Sequence, residues 1–138
     1  METSTPSQRE LEPLAHKYGI RLLLLFGSTI SGHLHPNSDI DLGLLFRDTP
    51  PDFRTRCSLH QDLQRHFPER EVDLAVLNHA DPLFLKKVTE NCRLLYGNPT
   101  EFYSLRMFAF RRYQDHRPFL AMEHRFIRKF LNRFPQSA

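Results

Sequence analysis

Three features of this 138-residue sequence predict an α/β (α+β) domain with a mixed β-sheet flanked by helices. Apolar runs of strand length alternate with stretches of helical period through the first hundred residues. The run at 22–26, LLLLF, stops abruptly at Gly27-Ser28, as a buried strand does where its backbone must approach something closely. Ten residues further on, Asp39-Ile40-Asp41 opens a second strand. Positions i and i+2 of a strand share a face, so both aspartates point one way while Ile40 and Leu42 enter the core.

The elements follow in order. Residues 7–18 carry Leu11, Leu14 and Tyr18 at helical spacing, with Ser7 as N-cap, Gly19 as the stop and Pro13 able to bend the early turns. His16 reads as a surface residue. The second strand runs over 40–46 and yields to Asp48-Thr49-Pro50-Pro51-Asp52, a loop dense in turn residues. A helix over 53–66 then sets Leu59, Leu63 and Phe67 on one side and Arg54, Gln61, Asp62 and Arg65 on the other; His60 and His66 read as outward-facing. In the strand over 71–78, Val72, Leu74 and Val76 alternate with Glu71, Asp73 and Ala75, which puts Asp73 opposite the apolar row. Asp81-Pro82 opens a helix to about Asn91 by cap and first-turn proline, with Lys86 and Lys87 able to reach phosphate or water, of which water is favoured. Residues 92–96 read as a short last strand closed by Gly97-Asn98-Pro99. From Thr100 to Phe134 the pattern is helical but broken at Pro118, predicting two C-terminal helices. Phe102, Leu105 and Ala109 make one apolar stripe; Phe119, Met122, Phe126 and Phe130 make another. One stripe packs on the sheet and the excess predicts an interface.

Length allows one domain, with a core over 1–98 and a helical extension over 99–138, and no room for a lid or a separate RNA-binding domain. The first ten residues carry no apolar signal region and no run approaches a membrane span. Cys57 and Cys92 lack CxxC spacing. The sequence therefore reads as a soluble, cytoplasmic protein. Its net charge of +3 is uneven: residues 99–138 hold eight Lys or Arg against three Asp or Glu. Such a tail suits an acidic or RNA-bearing neighbour, or simply a solvated face.

Two adjacent carboxylates repel unless a cation lies between them, and hard oxygen ligands of this kind suit Mg²⁺. A turn at Ser28 would aim backbone N–H groups and a hydroxyl at an anion, with Gly27 leaving room. Together they describe a nucleotide triphosphate held between amide donors and a carboxylate-bound metal, enough for phosphoryl or nucleotidyl transfer. Average composition gives the string G-S, ten residues, D-x-D by chance in about one chain in several hundred.

GSTISGHLHPNSDIDL resembles the signature of the minimal nucleotidyltransferases of the DNA polymerase β superfamily, the small proteins encoded beside HEPN-domain toxins. Gly27, Ser28, Gly32, Ser38, Asp39 and Asp41 fit it. Thr29 and Ser31 stand where such proteins often carry basic residues. The resemblance implies the nucleotidyltransferase fold, catalytic and metal-binding roles for Asp39, Asp41 and Asp73, and nucleotide binding by Gly27, Ser28 and Ser38. It further implies an antitoxin that moves AMP from ATP, with Mg²⁺, to a tyrosine hydroxyl of a HEPN ribonuclease toxin, in a hetero-oligomer without direct nucleic-acid binding. Glu71 is the substitute third acid if the register differs. The rivals are an antitoxin that acts by steric covering alone and a small-molecule nucleotidyltransferase of the aminoglycoside-modifying type. Arg111, four residues, then His116 resembles the R-x4-H motif of HEPN toxins, but the first hundred residues alternate strand and helix, which that toxin fold does not.

Overall fold

A computed structural model describes residues 5–27 and 39–133. Among these, the chain runs α1 (Gln8–Tyr18), β1 (Ile20–Phe26), β2 (Ile40–Phe46), α2 (Phe53–His66), β3 (Val72–Val76), α3 (Pro82–Glu90), β4 (Arg93–Tyr96) and α4 (Pro99–Asn132). The strands form one mixed sheet in the order β3-β2-β1-β4. β1 pairs antiparallel with β2 and β4, while β2 pairs parallel with β3. A parallel neighbour needs a crossover, and α2 supplies it.

β1 occupies the centre because its apolar residues face both ways, as a continuous Leu run requires. Leu23 and Leu25 join Ile40, Leu42, Leu44 and Phe46 beneath α1 and α2, where Leu11, Leu14, Leu59, Leu63 and Phe67 close the layer. On the opposite face, Leu22 and Leu24 meet Leu77, Leu85 and Val88, together with Leu105 and Ala109 of α4. Each fully buried leucine contributes about 1.5–3 kcal/mol.

The caps behave as the residue types demand. Ser7 Oγ accepts from the Glu10 N–H at 3.2 Å, and Gly19 ends α1 at φ 69° with its N–H donated to the Ala15 carbonyl. Asp81 accepts from the N–H groups of Leu83 and Phe84 at 2.9 and 3.3 Å. α1 carries through Pro13, which is exposed.

α4 corrects the expectation of two C-terminal helices, for it runs 34 residues without a break at Pro118. Proline removes the bond to the carbonyl four residues back, here that of Gln114. Both residues are exposed, which leaves that carbonyl open to solvent. Two further expectations are corrected. Lys86 does not simply face water: its Nζ lies 4.3 Å from the Tyr113 ring centroid and 3.5 Å from a Glu90 carboxylate oxygen. His60 does not merely point outward; its Nε2 makes a 2.6 Å hydrogen bond with the Val72 carbonyl.

Candidate active site

β1 and β2 bring Gly27 and Asp41 together. The cross-strand partner of Asp41 is Phe26, so the chain leaves β1 beside the Asp41 side chain. Gly27 adopts φ 85°, a left-handed conformation open to glycine and costly to other residues. A Cβ there would overlap Asp41 Oδ2 and lie 2.9 Å from its Cγ. Glycine is therefore required twice, by backbone and by space.

Parallel pairing of β2 with β3 supplies the second carboxylate. Asp41 stands directly opposite Asp73, just as Ile40 stands opposite Val72 and Leu42 opposite Leu74. Alternation places the apolar partners beneath α1 and α2 and the two acids on the other face. Asp39 immediately precedes β2 and is exposed, as is Asp73, while Asp41 is half-buried. Burial raises the Asp41 carboxyl above the ordinary carboxylate range, and the neighbouring charges of Asp73 and then Asp39 push it further. Among the described residues no Lys, Arg or His forms an ion pair with any of these three acids.

The register of β3 is fixed from α2. Gln64 Oε1 accepts from the Val72 N–H at 3.0 Å, and its Nε2 donates to the carbonyls of Phe67 and Arg70 at 2.8 and 2.5 Å. With His60 on the Val72 carbonyl, both outward backbone groups of the residue before Asp73 are held by α2 side chains. Hydrogen bonds of this kind protect an edge strand and position the acid next to it. At the other end, Asn78 exchanges two hydrogen bonds with the backbone of Phe46, at 2.9 and 3.0 Å.

Of the residues singled out from sequence, Asp41 and Asp73 stand side by side, Gly27 touches the first, and Asp39 acts on it electrostatically. Ser28, Gly32 and Ser38, with Thr29 and Ser31, lie outside the described residues. Glu71 precedes β3, and its carbonyl accepts from the Ile40 N–H at 2.8 Å. The positioning residues His60, Gln64 and Asn78 escaped sequence reasoning because side-chain bonds to a distant backbone leave no periodic signal.

Among the described residues no three Asp, Glu, His or Cys side chains converge into a ready-made metal cage. The donor set nevertheless fits a hard divalent cation: carboxylate oxygens from adjoining strands, mutually repelling and without a cationic side chain among the described residues. Among the described residues, a cavity of about 470 Å³ lined by Arg21, Arg47, Tyr96 and Glu101 sits at the opposite end of the sheet, where Arg21 is paired with Glu101 at 3.0 Å.

The family model described as Polymerase beta, Nucleotidyltransferase matches residues 9–101. Among solved structures, a toxin–antitoxin crystallised with AMP-PNP is 26% identical at a TM-score of 0.71, covering 91% of this chain and 99% of that one. A mutant form of the toxin–antitoxin MntA-HpeT is 25% identical at 0.69, with 91% and 98% covered. A tri-AMPylated Shewanella oneidensis HEPN toxin in complex with MNT antitoxin gives 23% identity and 0.65, over 90% and 95%. No curated protein matches the sequence.

Proposed function

The chain belongs to the polymerase beta nucleotidyltransferase family, and from that footing we propose that it is the antitoxin of a toxin–antitoxin pair, silencing a HEPN ribonuclease toxin by transferring AMP from ATP to a tyrosine hydroxyl. The observation that carries this reading is the in-register pair Asp41–Asp73 beside the Gly27 turn. The similarity to a toxin–antitoxin crystallised with AMP-PNP and to the antitoxin in complex with a tri-AMPylated HEPN toxin supports this reading of substrate and partner class.

Asp39, Asp41 and Asp73 would hold Mg²⁺, which when bound neutralises charge on the triphosphate. Gly27 lets the backbone pass close against the Asp41 carboxylate, and by resemblance the turn with Ser28 and Ser38 would cradle the phosphates. Asp73, exposed at the sheet end, accepts the proton of the attacking hydroxyl. The hydroxyl oxygen bonds to the α-phosphorus, the bond to the bridging oxygen breaks, and pyrophosphate leaves with its electron pair.

The double substitution Asp39→Asn, Asp41→Asn tests this with radiolabelled ATP and the cognate toxin. Loss of label on a folded variant is expected; label retained at wild-type level would remove the assignment. Covering without catalysis remains the second reading, favoured by α4, whose residues 111–133 include none that is buried. If the double variant still rescues growth against the toxin, covering is sufficient.

A further inference from the structure

Phe26 ends β1 directly opposite Asp41, on the acid-bearing face of the sheet. Against it lies Phe84, edge to face, with ring centroids 6.1 Å apart and an interplanar angle of 83°. Phe84 comes from the first turn of α3, where the Asp81 cap holds its N–H. Its neighbours Leu85 and Val88 are buried at 3% and 1% exposure, yet Phe84 itself keeps 39% of its surface in solvent. Core packing therefore leaves this ring partly uncovered while Phe26 fixes its orientation.

We infer that Phe84, backed by Phe26, is a stacking platform for the purine base of the nucleotide donor. The inference rests on the nucleotidyltransfer reading and deepens it. A nucleoside triphosphate has a charged end, suited to the Gly27–Asp41 end of the strands, and a flat π-system that needs apolar surface. Gly27, Asp41, Phe26 and Phe84 form a continuous series of contacts or cross-strand pairs, so one molecule meets both surfaces. Among the described residues, the other exposed large hydrophobics lie along α4 or, in Phe53, at the start of α2. A tyrosine ring from the acceptor is the rival occupant. The base is favoured because it is covalently tethered to phosphates bound beside Asp41, whereas an acceptor need only present its hydroxyl. Purines, with the larger π-face, gain more than pyrimidines.

Calorimetric titration with ATP and with inorganic tripolyphosphate, each with Mg²⁺, separates the base from the phosphates. Wild-type protein is expected to bind ATP about tenfold or more tighter than tripolyphosphate, the usual worth of one base stacked on an aromatic ring. Phe84→Ala is expected to bring the two affinities together and erase preference for ATP over UTP, with tripolyphosphate binding unchanged; Phe84→Tyr is expected to keep both preferences. Phe84→Leu keeps apolar area without π-stacking and carries the test if the alanine variant fails to fold. Wild-type discrimination in Phe84→Ala or Phe84→Leu would overturn the platform while leaving nucleotidyl transfer intact. Unchanged ATP affinity with lost toxin labelling would assign the ring to the acceptor instead. Failure of wild-type protein to bind either ligand would overturn both readings.

Discussion

Asp41 carries an electrostatic cost that the proposed role in cation binding would explain. Its carboxyl is raised by burial and by the charges of Asp73 and Asp39, so the ionised form demanded by a cation is disfavoured by its own surroundings. Replacing it with Asn relieves that repulsion. Asp41→Asn is expected to leave the metal-free melting temperature unchanged or slightly higher, a gain below about 1 kcal/mol once solvent screening is counted, while abolishing toxin labelling. A clear drop in stability would show that the carboxylate is structural. Gly27→Ala strikes the same spot from the other side. The left-handed backbone costs about 1–2 kcal/mol, and the added methyl displaces the Asp41 carboxylate. Labelling should fall by more than tenfold in a variant whose circular dichroism matches wild type.

Between elements, the contact that joins α1 to α2 gives a pH signature. Tyr18 Oη donates to Asp62 at 2.5 Å, and Lys17 Nζ adds a 3.4 Å contact. The Tyr18 bond, helped by the Lys17 and Arg65 charges, holds the Asp62 carboxyl below its ordinary value. A depressed carboxylate stabilises the fold above the ordinary range and loses that contribution as pH falls through the lowered value. Tyr18→Phe should therefore cost about 1 kcal/mol at neutral pH. The deficit should vanish in acid, as chemical denaturation at two pH values would show; an equal deficit at both would detach it from Asp62. Gln64 ties α2 to the start of β3 through one hydrogen bond, from the Val72 N–H, and to the intervening loop through two more, to Phe67 and Arg70. Gln64→Ala is expected to cost about 1–3 kcal/mol. It should also lower the rate of labelling at saturating ATP, because Asp73 follows the residue it releases. A lost melting temperature with an unchanged rate would confine Gln64 to stability. In α4, Pro118→Ala restores a helical donor at an exposed position. Amide exchange in residues 111–133 should slow while the core transition stays put.

For the whole molecule, the family model and the buried layers end where α4 begins its projection. The match stops at residue 101, and burial along α4 stops at Ala109. Beyond it, Phe119, Met122, Phe126 and Phe130 are each more than half exposed, among seven Lys or Arg and two Asp or Glu in residues 111–133. A basic, apolar helix of this kind suits an acidic partner with an apolar groove. Truncation after Tyr113, which preserves the Lys86 contact, should leave the core melting temperature nearly unchanged and abolish co-elution with the toxin. Co-elution of the truncated chain would move the partner surface elsewhere.

Periodicity and capping chemistry were enough to delimit most of the fold. The bounds read for β2 and α2 coincide with the structure, and Ser7, Gly19 and Asp81 cap as their side chains and backbone freedom require. Those features are local: an alternation of two or a cap at a fixed offset is written into neighbouring residues. The Gly27-Ser28 and Asp39–Asp41 spacing was local as well, so the family was legible. Tertiary structure alone decided that β3 pairs parallel with β2, setting Asp73 rather than Glu71 opposite Asp41, and that Phe84 rests on Phe26. It also decided that α4 continues through Pro118, since a proline breaks or spares a helix according to whether water can reach the carbonyl it orphans. Register, ring contacts and solvent access depend on residues brought together from far along the chain, and no window of sequence contains both partners.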